Sequence, residues 1–73
     1  MTRSFTAIIE REDDTFVALC PELDIASQGT SVGEARANLQ EAVELFLETA
    51  SPSEIKGRLK GEVYVTSIEV ALA

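Results

Sequence analysis

The stretch from Ser31 to Ala50 most constrains how this chain folds, because its sequence has the pattern of one amphipathic helix. Ser31 is typical of a helix N-cap, and Glu34, three residues later, can complete a capping box. At about 100° per residue, one face of this helix collects apolar side chains. They are Val32, Ala35, Leu39, Ala42, Val43, Phe46 and Ala50. We therefore expect the flanking segments to supply a sheet for this face to cover.

Segments of alternating apolar and polar residues precede the helix and predict antiparallel strands. Residues 3–10 and 15–20 alternate with the two-residue period of a strand. The acidic run between them, residues 11–14, lacks the Asn-Gly or Asp-Gly pair of the tightest turns, so we expect a hairpin loop of about three to five residues. A short third strand is predicted from Leu23 to Gly29, because Pro21 ends the second one.

Two further elements are predicted after the long helix. Ser51, Pro52 and Glu54 repeat the signals of a helix start, which favours about one to two helical turns over residues 52–58. Residues 62–72 are rich in β-branched side chains and predict a final strand that pairs with the first hairpin. The expected fold class is therefore α+β, with a three-stranded antiparallel meander, one long helix packed on it and the final strand.

Composition limits the function classes. The 73 residues predict a single domain, residues 1–73, with a core that rarely yields more than about 3–5 kcal/mol, which favours self-association. The formal charge of −7 argues against binding to nucleic-acid phosphates, which needs clusters of Lys and Arg. One cysteine, no histidine and no apolar run of membrane-spanning length lead us to expect a cytoplasmic protein without membrane contacts.

Six carboxylates near the predicted strand ends are the candidate partner-binding residues. A solvated turn is the ordinary explanation of such residues, whereas convergence on one point would hold Mg²⁺ as in a metal-dependent nuclease. We expect an acidic surface that attracts a basic protein, with no catalytic residue, metal or other cofactor. The six are Glu10, Glu12, Asp13, Asp14, Glu22 and Asp24.

Two apolar residues, Ile8 and Leu45, are candidate oligomer contacts. Ile8 makes the second face of the first strand less than fully polar, and no predicted helix covers that face. Leu45 falls on the polar side of the long helix. A lone exposed leucine is normal, and contact with residues 52–59 or with a second subunit are the alternatives for Leu45. We expect a homodimer or homotetramer.

The run from Phe5 to Leu47 resembles the HicB-like antitoxin family of type II toxin–antitoxin systems. The ordered combination of short segments carries this resemblance: Cys20–Leu23, Gln28–Ser31, Glu34–Ala35, Asn38–Leu39 and Glu41–Ala42. The resemblance implies a β-β-β-α-β fold similar to a truncated ribonuclease H, and it imports no catalytic activity. Asp24–Ile25 stands where that family often has Pro-Gly, so we expect a differently shaped second turn.

The resemblance also implies a function and a partner. Typical members of the HicB-like family neutralise HicA, a small basic mRNA-cleaving toxin, by covering it, and full-length antitoxins usually add a C-terminal DNA-binding domain. We therefore expect a non-enzymatic protein that binds a HicA-like toxin, with no C-terminal DNA-binding domain and no direct contact with nucleic acid. The alternatives are a metal-dependent nuclease remnant and a self-assembling interaction module without a toxin.

Overall fold

The computed structural model describes residues 2–73 and confirms an α+β fold. The three strands form one antiparallel sheet in the order β1-β2-β3, and the long helix packs on one face of it, mainly across β3 and β2. A short second helix follows. The elements are β1 (Ile8–Glu12), β2 (Thr15–Cys20), β3 (Ile25–Gly29), α1 (Val32–Thr49) and α2 (Pro52–Arg58).

The hairpin between β1 and β2 is tighter than the sequence predicts. Only Asp13 and Asp14 separate the strands, and Glu12 lies opposite Thr15. The expected loop of about three to five residues is wrong because Asp13 adopts a positive φ of 53°. Asp tolerates this left-handed conformation better than most residues, so no glycine is needed. Thr15 Oγ1 closes the turn by donating to the Glu12 carbonyl oxygen at 3.0 Å.

The core between α1 and the sheet is built largely from small side chains. Its buried hydrophobic residues are Ala18, Cys20, Leu23, Ala35, Leu39 and Val43. Leu23 lies in the β2–β3 turn, and β3 begins at Ile25 because Asp24 takes a φ of 55° that interrupts the extended backbone. Full burial of a leucine such as Leu39 contributes about 2 kcal/mol.

The predicted capping residues set the start of α1. Ser31 Oγ accepts a hydrogen bond from the Glu34 backbone N–H at 3.0 Å. The Glu34 carboxylate turns back to Thr30, whose backbone N–H and hydroxyl donate to it at 3.0 and 3.2 Å. The predicted apolar face is confirmed from Ala35 onward, whereas Val32 in the first turn is 52% exposed.

Gly29 lets α1 approach the sheet closely. A Cβ atom added at Gly29 would lie 2.6 Å from the Ala35 backbone nitrogen and 2.9 Å from the Glu34 Cβ. Both distances are shorter than van der Waals contact, and the Ala35 nitrogen belongs to the helix backbone. Any side chain at Gly29 would therefore force the whole helix away from β3.

The chain after α2 differs from the prediction. α2 covers the predicted residues 52–58, and the Lys60 backbone N–H donates to the Glu22 carbonyl oxygen at 2.9 Å. Residues 61–73 then form neither helix nor strand. The prediction that residues 62–72 pair with the first hairpin is wrong for this structure, because β-branched composition reports a preference for extended backbone and does not specify a partner edge. The resulting order is β-β-β-α-α.

We predict that Gly29→Ala lowers the free energy of unfolding by about 1–3 kcal/mol, the usual cost of overpacking. Urea unfolding followed by circular dichroism measures the change. The matched control is Gly33→Ala on α1, where an added Cβ meets nothing within 4 Å. The control should be neutral or stabilising by up to about 1 kcal/mol, since alanine favours helix. Equal effects of the two substitutions would contradict the close approach.

Candidate functional site

Four of the predicted carboxylates gather at one end of the sheet. We call this surface the acidic hairpin, and it consists of the exposed residues Glu10, Glu12, Asp13 and Asp14. Ala18 and Cys20 of β2 face α1, so the pairing of β1 with β2 directs Glu10 and Glu12 to the opposite face of the sheet. The acidic hairpin therefore presents its charge to solvent on the turn and on the face away from the helix.

Arg11 is the one basic residue within this stretch, and it lies on the other face. It is the cross-strand partner of Phe16, and its guanidinium carbon lies 5.6 Å from the centroid of the Phe16 ring. A guanidinium at this distance from an aromatic ring is attracted to it. Arg11 Nε also donates to the Asp13 carbonyl oxygen at 3.1 Å. The positive charge is thus engaged on the helix side of the sheet, away from Glu10 and Glu12.

Glu22 and Asp24 are not part of the acidic hairpin. They lie in the β2–β3 turn, and the six residues of β2 separate the two ends of the sheet by about 17–20 Å. Two basic residues contact this second end: an Arg58 guanidinium nitrogen donates to the Asp24 carbonyl oxygen at 3.2 Å, and the Lys60 backbone N–H donates to the Glu22 carbonyl oxygen. The structure therefore divides the six predicted carboxylates into a group of four and a separate pair.

The Glu22 carboxylate is engaged inside the fold. Its Oε2 accepts hydrogen bonds from the Thr6 backbone N–H at 2.9 Å and from the Thr6 hydroxyl at 2.6 Å. Burial acts to raise the pKa of Glu22, but the hydrogen bonds from Thr6 outweigh it and hold that pKa below its usual value. The ionised side chain thus ties the N-terminal segment to the β2–β3 turn.

Cys20 is fully buried, and its thiol donates to Glu22 Oε1 at 3.6 Å. Burial raises the pKa of the thiol, and the nearby Glu22 carboxylate raises it further. The thiol is therefore protonated at neutral pH and is a poor nucleophile. Cys20 is therefore a packing residue of the core.

The carboxylates do not converge on a point. Among residues 2–73, no three His, Cys, Asp or Glu side chains are grouped closely enough to hold a metal ion. The acidic hairpin spreads its charges along a strand face and a turn, which suits attraction of a cationic protein surface better than coordination of one ion.

The two candidate oligomer contacts both lie on the surface. Ile8 is on the sheet face opposite α1, where it pairs with Leu19, and both side chains are half-buried. Leu45 is 61% exposed on the outer side of α1, so residues 52–59 do not cover it. Contact of either residue with a second subunit stays a prediction.

Sequence reasoning missed a groove beside β1. We call it the apolar groove, a space of about 780 Å³ between residues 2–7, α1 and the end of α2. Its apolar lining includes Phe5, Ala7, Leu39, Val43, Leu47 and Leu59. The groove exists because α1 lies over β3 and β2 and makes little contact with β1. The alternation of Phe5 and Ala7 with polar residues predicts a strand over residues 3–10, but β1 begins only at Ile8, and the position of the helix was not encoded locally.

These features define a small acidic α+β protein with two distinct surfaces, the acidic hairpin and the apolar groove. In residues 2–73, neither helix combines the length and the apolar composition needed to cross a membrane. No family model matches the chain, and no solved structure matches it.

Two relatives are similar to this chain. A UPF0150 protein of Helicobacter pylori strain J99 is 35% identical over 68 residues, which span 92% of this chain and 94% of that protein. A UPF0150 protein of Synechocystis sp. strain PCC 6803 is 44% identical over 50 residues, which span 66% of this chain and 69% of that protein. The chain therefore belongs to the UPF0150 family. The names of these relatives state no activity and no partner.

We predict that Glu22→Gln destabilises the fold in a pH-dependent way. Because the pKa of Glu22 is lower in the folded chain than its ordinary value of 4.5, the ionised carboxylate stabilises the fold above that pH. This stabilisation is lost as the pH falls through the folded-state pKa. We expect Glu22→Gln to lower the free energy of unfolding by about 1 kcal/mol at neutral pH, with the difference from the natural chain narrowing in acid.

Chemical unfolding at several pH values measures this difference. Glu48→Gln on the exposed side of α1 is the control, and it should stay within about 0.5 kcal/mol of the natural chain at neutral pH. A deficit of Glu22→Gln that stays constant into acid, or no deficit at all, would show that the bonds from Thr6 do not depend on the charge.

Proposed function

We propose that this protein is a non-enzymatic, antitoxin-like binding protein of the cytoplasm that masks a small basic mRNA-cleaving protein resembling HicA. The observation that carries the proposal is the acidic hairpin, with its four exposed carboxylates on one turn and one sheet face. A protein that cleaves mRNA must attract phosphates and so presents a cationic surface. The acidic hairpin is complementary in charge to such a surface.

The rigidity of the acidic hairpin supports the same proposal. Asp13 and Asp14 form a two-residue turn, and Glu12 and Thr15 are directly paired across it. The hydrogen bond from Thr15 Oγ1 and that from Arg11 Nε fasten the turn on both sides. A surface that is already ordered loses little conformational freedom on binding, which favours affinity. The backbone that carries the four carboxylates is thus already ordered before a partner arrives.

The ionisable side chains support a binding role in preference to catalysis. The sequence has no histidine, the commonest general base at neutral pH. Its one thiol is buried with a raised pKa. Glu22, whose pKa is lowered, already accepts hydrogen bonds from Thr6. Each group with a shifted pKa in the sheet region is thus engaged in packing or in internal bonding.

The resemblance of residues 5–47 to HicB-like antitoxins gives the proposal its partner class. That resemblance implies the order β-β-β-α-β. The three strands and α1 follow this order, whereas residues 61–73 do not form the final strand. The net charge of −7 suits a protein partner better than nucleic acid, so we propose that the chain acts on the toxin and makes no direct contact with RNA or DNA.

We predict that reversing two charges of the acidic hairpin weakens binding to the toxin. The double variant Glu10→Lys with Glu12→Lys should slow association with a HicA-like protein by about tenfold or more at low salt, since such charges act mainly on the rate of association. Stopped-flow or surface-plasmon measurements at two salt concentrations give the rates, and gel filtration shows whether the natural chain co-elutes with the toxin.

The control variant is Glu41→Lys with Glu48→Lys, which changes the net charge by the same amount on the exposed side of α1. It should associate at nearly the natural rate. Equal slowing by both variants would mean that association depends on net charge and not on the acidic hairpin. Separate gel-filtration peaks of the natural chain and the toxin at micromolar concentration would refute the proposed function.

A further inference from the structure

The segment after α2 leaves the body of the protein. Lys60 is still tied to the β2–β3 turn through its bond to the Glu22 carbonyl oxygen. From residue 61 to 73 every side chain except Val63 is exposed. The radius of gyration is 14.3 Å, whereas a compact chain of this length has about 11 Å, and the longest extent is 49 Å. We call residues 62–72 the C-terminal arm.

One face of the C-terminal arm is apolar and uncovered. In extended conformation its even-numbered residues share a face, and this face carries Tyr64, Ile68, Val70 and Leu72. These side chains are 80%, 83%, 73% and 97% exposed. Contiguous apolar surface of this kind marks an interaction site, and a lone strand is not stable in water. The C-terminal arm therefore requires a sheet edge and an apolar surface next to that edge.

The chain itself offers such an edge at β1. The β3 edge is partly occupied, because α1 packs over it and Asn38 Nδ2 donates to the Gln28 carbonyl oxygen at 2.8 Å. β1 has a strand partner only on the β2 side, so its outer side is free within residues 2–73. The apolar groove lies beside the start of β1 and is lined by Phe5, Val43 and Leu47. A strand added along β1 and continued beside residues 2–7, which border the groove, would bring every second side chain toward it.

We propose that the C-terminal arm of one copy adds as a strand to the β1 edge of a second copy, with Ile8–Glu12 as its neighbour. Its even-numbered side chains enter the apolar groove of that copy. Each copy has one free arm and one free edge, so two copies satisfy each other in a closed, two-fold symmetric exchange. The arm reaches away from its own domain, which favours exchange over pairing within one chain.

This proposal is independent of toxin binding, because the acidic hairpin presents its carboxylates on the turn and on the sheet face away from α1, whereas the apolar groove lies on the helix side. It also gives the residues of the predicted final strand a partner outside their own chain. Covering the β1 edge removes an exposed row of backbone N–H and carbonyl groups, which otherwise invites uncontrolled association.

The first test is the mass of the full chain in solution. Light scattering at micromolar concentration should give twice the chain mass of 7.9 kDa. The double variant Ile68→Asp with Val70→Asp places charges on the apolar face of the C-terminal arm and should give the single-chain mass with the circular dichroism of α1 intact. The control, Ser67→Asp with Ala71→Asp, adds the same charges on the other face and should stay a dimer.

The second test does not depend on how the variants fold. A mixture of ¹⁵N-labelled and ¹³C-labelled natural chains should show intermolecular nuclear Overhauser effects between residues 64–70 of one chain and residues 8–12 of the other. A natural chain of single mass, a dimer that survives the Ile68 and Val70 substitutions, or effects between these segments only within one chain would each overturn the proposal.

Discussion

The close contact between α1 and the sheet governs the rest of this structure. Gly29 has no side chain, and Ala18 and Ala35 are small, so the helix backbone lies near the strands. The helix is held over β3 and β2, and Leu39 fills the space between. Because the contact is off-centre, the helix covers β3 and β2 on one face of the sheet and leaves β1 on that face largely uncovered.

That asymmetry produces the two surfaces on which the proposed function and the proposed dimer depend. The uncovered side of β1 borders the apolar groove, and the far end of β1 carries the acidic hairpin. The two surfaces differ in chemistry, one apolar and one strongly charged, and they lie at different ends of the same strand. The proposed protein partner, attracted by charge, and the proposed added strand, held by apolar contact, would therefore bind at separate places.

Features that depend on local bonding were predictable from sequence. Ser31 and Ser51 cap their helices through their own hydroxyl groups, and the bounds of both helices follow from such short-range bonds. Positive φ values at Asp13 and Asp24 were not predictable, because Asp adopts them only where the neighbouring strands demand it. These two residues account for the shorter hairpin turn and the later start of β3.

Predictions that depend on how distant parts of the chain come together were wrong or incomplete. Asp14 and Glu22 are close in sequence, but a whole strand separates them, so the predicted acidic surface divides into two groups. The β-branched residues after Gly61 indicate an extended segment, but they do not specify which strand it pairs with. The apolar groove likewise arises from where the helix comes to lie, which no single stretch of sequence records.

The small core connects these surfaces to stability. Six buried residues, most of them small, supply little of the free energy that a single domain needs, and the exposed C-terminal arm holds apolar side chains that the single chain leaves in water. If a second copy covers them, the folded state is stabilised by mass action.

The direct measurement is the midpoint temperature of unfolding over an about 100-fold range of protein concentration. We expect the midpoint to rise steadily with concentration, and a midpoint that is the same at every concentration would contradict a fold completed by its own second copy.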